Sequence, residues 1–297
     1  MTPDDVLAVA RSDDLEALGH DRDAVADAVR SFAEAGDAES ALELVGRTWR
    51  MWFAAGELDE GSSLAAAALN APGAAAVPIW RARVLYADGI FAFRAGDRDR
   101  SLARNEEALR VARETDDVRG ECDALTGLAR DALRDGRYEE VVSLARQARD
   151  RARTADDPAA EASPLHLEAA GVRLQGDYSR ARELYLQSME HNEKMGARAF
   201  VTMEKHNLGW VELHLGNVGA AEARFRERDA ETESDAYGDA WSDLNWAAIA
   251  VAQDKRDEAE KRMAAGTDAL EKLGVSLDPD DQSELDWLRE QISAATP

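Results

Sequence analysis

The chain has 297 residues, of which 45% are hydrophobic and 6% aromatic, so it carries enough apolar material to bury a core. Its 60 acidic and 36 basic residues give a net charge of −24, which argues against a surface made for nucleic acid or an anionic membrane. The single cysteine, Cys122, excludes an intramolecular disulfide and is expected to be a packing residue. The first residues lack the basic start and apolar run of a secretion signal, so we expect a cytoplasmic protein.

The N-terminal residues 1–36 are predicted to form leading helices ahead of a repeated region. The pair Gly36-Asp37 has the composition of the turns that follow, but it lies only twenty residues before Gly56. The phase of the repeat is therefore left open at this end of the chain.

Five glycines recur forty residues apart through the middle of the chain. Each is preceded by a helical pattern and followed, after turn-prone or polar residues, by another, as expected for a residue that ends a helix with positive φ. Asp254 takes the glycine position in a sixth unit, which is recognised by the matching downstream Ala259. A fixed period of this size is typical of a solenoid. The five glycines are Gly56, Gly96, Gly136, Gly176 and Gly216.

Residues 37–275 are therefore predicted to form about six helical hairpins, and no alternating pattern indicates a strand. Pro158 and Pro279 each follow an aspartate, which marks a helix start. Pro164 allows either a kinked helix from Pro158 or a later start. Residues 276–297 are expected to form a C-terminal capping helix, with Leu285, Trp287 and Leu288 turned inward and polar residues outward. We expect one all-α domain over residues 1–297.

The unit at residues 205–225 resembles a tetratricopeptide repeat (TPR). It has Leu208-Gly209 at the large-small pair of the first helix, Gly216 at the turn, and Ala221 followed by Phe225 in the second helix. The resemblance implies a right-handed superhelical solenoid that binds other proteins. The period of about 40 residues exceeds the roughly 34 of the family, and the proline that usually closes the second helix is missing.

Such long repeats are similar to the helical regions of large bacterial transcription regulators of the LuxR and antibiotic-regulatory types. Those regulators also carry nucleotide-binding and DNA-binding modules. This sequence has no G-x-x-x-x-G-K-[ST] loop, and its N-terminal segment is short and acidic for a DNA-binding domain. The resemblance therefore implies the interaction module alone.

The sequence offers little for catalysis or metal binding. None of its five histidines forms an H-E-x-x-H pair, and a metal held by His206 and His214 would need ligands from another helix. No serine, threonine or cysteine lies in a nucleophile motif. We expect no enzyme, no metal and no cofactor.

The helix stripe that lines the inner groove of TPR proteins is rich in arginine. Its thirty positions hold six arginines and two acids, although acids outnumber bases in the whole chain. Arginines dominate the first four units, whereas aromatic and aliphatic residues dominate the last two. The candidate groove residues are Arg50, Arg83, Tyr86, Phe93, Arg94, Arg130, Arg134, His166, Arg173, His206, Trp210, His214 and Trp241.

These patterns predict a non-catalytic scaffold or regulator that binds an acidic or carboxylate-bearing peptide in its concave groove. One alternative is a small-molecule sensor built around Trp210, Trp241 and Leu244, and another is an accessory subunit of an enzyme or biosynthetic assembly. A solvated, arginine-rich face with no partner is a further alternative. The sequence does not identify a partner, a pathway or an oligomeric state.

Overall fold

A computed structural model of the chain describes residues 1–12, 18–231, 236–274 and 277–294. Within these ranges the backbone forms fifteen α-helices and one 3₁₀ turn, with no strand. This confirms the all-α prediction. No helix of the described part is long and apolar enough to cross a membrane.

The helices follow one another with short connections and are numbered here in chain order. Helices α5 to α11 have seventeen residues each. The bounds are α1 Pro3–Arg11, α2 Arg22–Ala35, α3 Ala38–Ala55, α4 Leu58–Asn70, a 3₁₀ turn Ala74–Ala76, α5 Pro78–Arg94, α6 Arg98–Glu114, α7 Val118–Arg134, α8 Tyr138–Thr154, α9 Pro158–Leu174, α10 Tyr178–Lys194, α11 Arg198–His214, α12 Val218–Glu231, α13 Ala236–Ala252, α14 Arg256–Leu273 and α15 Pro279–Ala294.

The turn glycines identified in the sequence have left-handed backbones. All five, from Gly56 to Gly216, have φ between 71° and 84°, and Asp254 has φ of 57°. The structure adds a second set of left-handed residues midway between them, at Asp116, Asp156 and Gly196. The sequence analysis missed Asp116 and Asp156 because an aspartate next to a helix start also has the composition of a cap. Both helices of the three hairpins from α5 to α10 thus end next to a left-handed residue.

Pro164 lies inside a helix that is assigned without a break. Helix α9 begins at Pro158, where the Asp157 side chain accepts a hydrogen bond from the Ala160 backbone N–H at 3.1 Å. The structure therefore selects the earlier of the two helix starts. Proline lacks the N–H that would bond one turn back, so this helix continues with one backbone bond fewer.

The described chain divides into two compact units. Unit 1 comprises Met1–Asp131 and Gln147–Ala160, and unit 2 comprises Ala132–Arg146 and Glu161–Pro297. Unit 1 has one core, which includes Trp52, Leu85 and Phe91. Unit 2 has one cluster around Tyr185 and a second around Trp210. That the two units form a single domain stays a prediction.

Glycines inside helices allow aromatic rings of the paired helix to pack against the backbone. A Cβ atom at Gly61 in unit 1 would overlap the ring of Phe91, and one at Gly209 in unit 2 would overlap the ring of Phe225. Both rings are buried. The small residue of the Leu208-Gly209 pair thus makes room for the aromatic ring of the second helix.

Cys122 is buried in unit 1, as a packing residue should be. Its Sγ lies 3.7 Å from the backbone oxygen of Ala160. Burial, and secondarily the negative charge of Asp123, raises the pKa of the Cys122 thiol to about 12. The thiol is therefore neutral and shielded in the folded state.

Candidate functional site

The candidate groove residues fall into two groups. The unit 1 face comprises Arg50, Arg83, Tyr86, Phe93, Arg94 and Arg130. The unit 2 face comprises Arg134, His166, Arg173, His206, Trp210, His214 and Trp241.

Three arginines of the unit 1 face each lie over an aromatic ring. The distances from guanidinium carbon to ring centroid are 4.4 Å for Arg50 over Trp49, 4.7 Å for Arg83 over Trp80 and 5.4 Å for Arg94 over Phe53. Arg50 and Arg94 are exposed to solvent. A guanidinium held over a ring by this attraction keeps N–H groups that can form forked contacts with a carboxylate.

The apolar members of this face are mostly covered. Tyr86 and Phe93 are only 6% and 7% exposed. Arg130 donates a hydrogen bond to the Tyr86 hydroxyl at 3.2 Å, and the Tyr86 ring packs edge-on against Trp49 at 5.9 Å. Tyr86 therefore positions Arg130, and the surface available to a partner is provided by guanidinium groups more than by rings.

Two aspartates lie beside the unit 1 arginines. Asp117 Oδ2 is 3.8 Å from Arg83 Nε, and Asp123 is 3.3 Å from Arg119 Nε. Burial raises the pKa of Asp123 above its ordinary value, although the positive charges of Arg119 and Arg50 act against that rise. The face is therefore basic, with negative charge close to Arg83 and Arg50.

On the unit 2 face, Arg173 is buried against the chain's own C-terminal helix. Only 2% of the residue is exposed. Its Nη2 donates to Asp280 Oδ2 of α15 at 3.0 Å, its Nη1 donates to Asn207 Oδ1 at 3.0 Å, and Glu284 of α15 is 3.7 Å away. A buried guanidinium is costly unless carboxylates neutralise it. Helix α15 supplies two of them.

Two histidines of the unit 2 face contact α15 in the same way. His214 Nε2 lies 2.7 Å from Glu284 Oε2, and His206 Nε2 lies 3.7 Å from Asp281 Oδ1. The Tyr237 hydroxyl also donates to Asp281, at 2.6 Å. Burial tends to raise the pKa of Asp281, but His206 and Tyr237 outweigh it and hold that pKa below its ordinary value.

The Trp287 ring of α15 packs edge-on against two rings of the unit 2 face. Its ring lies 5.9 Å from Trp210 and 5.2 Å from His214, both nearly perpendicular. Trp210 is 0% exposed and donates to Asn245 at 2.9 Å, and Trp241 is 2% exposed and lies 5.1 Å from the His206 ring. These two tryptophans are packed in the folded chain.

His166 has its own carboxylate partner within unit 2. Its Nδ1 lies 3.2 Å from Glu204, which also accepts a hydrogen bond from Ser188 at 2.5 Å. Burial tends to lower the pKa of His166, but the negative charge of Glu204 outweighs it and raises the pKa above its ordinary value. Because the serine bonds the glutamate and not the histidine, the trio lacks the order of a nucleophile triad.

The structure corrects one expectation for the closing helix. Leu285 and Leu288 are buried as expected, but Asp280 and Glu284 are also buried, although polar residues of this helix were expected to point outward. They turn inward because Arg173 and His214 lie beneath them. The one sequence signal that could have shown this is the spacing of Asp280, Glu284 and Trp287 on one helix stripe.

The remaining candidate positions add little. Arg134 is half-buried at the end of α7. His206 and His214 each face a carboxylate of α15 and do not face each other. In the part of the chain that the structure describes, no three metal-ligating side chains come together.

The comparisons with known proteins place the fold. No family model and no curated protein matches the sequence. Among solved structures, apo RapI has a TM-score of 0.66 at 11% identity, over 91% of this chain and 96% of that one. NprR in complex with its cognate peptide NprX has a TM-score of 0.58 at 12% identity, over 87% and 73% of the two chains.

A putative kinesin light chain from P. anserina with TPR-like repeats has a TM-score of 0.52 at 18% identity, over 67% of this chain and 99% of that one. These likenesses confirm the TPR-type helical repeat as the class of fold. The narrower resemblance to LuxR-type and antibiotic-regulatory regulators stays a prediction.

Proposed function

We propose that the protein is a non-catalytic regulator or scaffold, and that its unit 1 face binds a carboxylate-bearing peptide segment. The observation that carries this proposal is the set of guanidinium groups that lie over Trp49, Trp80 and Phe53. The attraction between a guanidinium and a ring restricts the arginine side chain before a ligand arrives, so less side-chain entropy is lost when a carboxylate binds.

The structural neighbours support the general class of function. The NprR structure holds a cognate peptide, so a TPR-like repeat can serve as a peptide receptor. The fold is shared with this chain at 12% identity, and the choice of an acidic ligand rests only on the residues of the unit 1 face. The proposed link to LuxR-type regulators adds a regulatory role to the same module.

Electrostatics permit such a ligand despite the net charge of −24. At physiological salt the Debye length is about 8 Å, so an acidic peptide on the face interacts mainly with nearby arginines and little with distant carboxylates. Each hydrogen bond from a guanidinium to a carboxylate contributes about 1.5–3 kcal/mol. Two or three such contacts together with an apolar anchor are needed to offset the free-energy cost of association.

The burial of Trp210 and Trp241 favours this proposal over a small-molecule sensor. A sensor pocket around these rings needs them open to a ligand, but both are packed inside unit 2. The unit 1 face, in contrast, has Arg50 and Arg94 at exposed positions.

A peptide array tests the proposal. The full chain is labelled with a fluorophore and applied to random octapeptides, with the variant Arg50→Glu/Arg94→Glu as comparison. We expect the bound peptides to be enriched in Asp, Glu and one aromatic or aliphatic residue. The double variant should lose at least tenfold in affinity for them, measured by fluorescence polarisation.

The matched control is Arg98→Glu/Arg110→Glu on helix α6. It makes the same change in net charge at two exposed positions outside the face, where Arg110 donates to the exposed Glu114 one helical turn away. Equal loss in both double variants would mean that net charge, and not the unit 1 face, controls binding. Enrichment of basic or neutral peptides would exclude the proposed ligand class.

A further inference from the structure

The unit 2 face is covered by α15, a helix that presents carboxylates and an aromatic side chain to it. Asp280, Asp281 and Glu284 of α15 contact one arginine and two histidines, and Trp287 packs against Trp210. These contacts are made by side chains on one stripe of α15. The opposite stripe, with Gln282, Asp286, Arg289 and Glu290, is exposed.

The surface under α15 is built for carboxylates. Arg173 is buried to 2% exposure, and the cost of dehydrating its charge is several kcal/mol unless an anion lies against it. Its Nε and the nearby Tyr185 hydroxyl are buried with no hydrogen-bond partner among the described residues. The Tyr185 ring lies under the same guanidinium, 5.7 Å from its central carbon. The surface thus holds polar atoms that α15 leaves unpaired.

Beside the charged part of the unit 2 face, two aromatic rings contact the indole of Trp287. The rings of Trp210 and His214 form two walls that meet the Trp287 ring at angles of 88° and 70°. Leu288 fills the adjacent core position and is fully buried. An occupant therefore needs two carboxylates one helical turn apart, followed by a tryptophan and a leucine on the same stripe.

We propose that the unit 2 face is a second interaction site, which accepts an acidic amphipathic helix of a partner protein, and that α15 is the resident helix which the partner helix displaces. The site shares its carboxylate chemistry with the proposed function, but no residue of the unit 1 face takes part. Either proposal can fail while the other holds.

Because α15 belongs to the same chain, it competes strongly with a partner helix for the unit 2 face. A tethered segment has an effective concentration on the order of millimolar, so a partner helix in trans competes at a disadvantage. Weakening α15 raises the fraction of chains with an open face, and the apparent affinity for a helix in trans rises by the same factor. This dependence distinguishes displacement from binding at an unrelated surface.

The probe is a synthetic peptide with the sequence of residues 277–294, labelled with fluorescein at its N-terminus. It is titrated into the full chain and into a full-chain variant whose resident helix carries Glu284→Gln and Trp287→Ala. We expect the variant to bind the peptide at least tenfold more tightly than the unaltered chain. The control Asp286→Asn/Arg289→Gln, on the exposed stripe of α15, should bind like the unaltered chain.

Two further titrations distinguish displacement of α15 from peptide binding at another surface. A peptide with Asn, Asn and Gln at the positions of Asp280, Asp281 and Glu284 should bind at least tenfold more weakly. Arg50→Glu/Arg94→Glu, added to both the unaltered chain and the weakened chain, should leave the ratio of their peptide affinities unchanged, because the unit 1 face takes no part in displacement.

Hydrogen exchange on the unaltered chain tests displacement without any variant of the protein. Excess isotopically labelled peptide should speed exchange of the resident amides of α15 and leave those of α11 protected. The proposal is overturned if the peptide fails to bind the weakened chain, if the neutral peptide binds equally well, or if binding leaves α15 exchange unchanged.

Discussion

Arg50 in unit 1 and Arg173 in unit 2 were both read from one arginine-rich stripe, yet their environments are opposite. Arg50 is exposed and lies over the Trp49 ring. Arg173 is 2% exposed and its edges point to Asp280, Glu284 and Asn207. The difference shows that an arginine of this stripe is closed off where an acidic helix of the same chain packs against it.

The largest expected effect is the loss of folding stability when the buried arginine is replaced. Arg173→Met should destabilise the protein by about 3–5 kcal/mol, because Asp280 and Glu284 would remain buried without their cation. Arg50→Met should change the free energy of unfolding by less than about 0.5 kcal/mol, since the position is exposed. Urea unfolding followed by circular dichroism measures both. Similar losses for the two variants would contradict the contrast between the faces.

A second pair of variants asks whether the packing beneath the faces also differs. Gly61→Ala in unit 1 and Gly209→Ala in unit 2 should each cost about 1–3 kcal/mol, because the added methyl group would overlap Phe91 or Phe225. Thermal unfolding compares them with Gly219→Ala, whose Cβ would meet nothing within 4 Å. A large loss in one unit alone would place the difference between the units in their cores.

The smallest effect concerns pH and belongs to unit 2, because the unit 1 face contains no histidine. The pKa of His166 is raised in the folded protein, so its protonation stabilises the fold fully below the unfolded pKa of about 6.5. This stabilisation disappears as the pH rises through the folded pKa. Near pH 5.5 the free energy of unfolding of the unaltered protein should therefore be roughly 1 kcal/mol higher than that of His166→Gln. Near pH 9 the two values should be equal. Urea titrations at each pH measure both. A stability difference that grows with pH would show that the assigned charge on Glu204 is wrong.

The sequence was sufficient for the helical hairpins because their signals are local. A glycine such as Gly136 ends a helix through its own backbone, and the packing of Gly209 on Phe225 lies within one hairpin. Asp116 and Asp156 escaped notice because aspartate is not the usual residue for a left-handed backbone.

The position of α15 could not be predicted from the sequence, because its contacts join distant residues. Arg173 and Asp280 lie 107 positions apart, and no periodic pattern connects them. The amphipathic pattern of α15 identified Leu285 and Leu288 correctly but gave no reason for Asp280 to face inward, since burial of a carboxylate depends on a cation elsewhere in the fold. The candidate list therefore contained one side of the contact and omitted the other.

Cys122 gives the molecule a built-in kinetic probe. It is the chain's only thiol, it lies in unit 1, and its pKa of about 12 keeps it unreactive in the folded state. An alkylating reagent at neutral pH can modify it only during openings that expose it, so the rate of mass gain reports how often this part of unit 1 opens. A ligand that binds and stabilises unit 1 should slow alkylation, and one that acts only by exchanging with α15 should leave the rate unchanged.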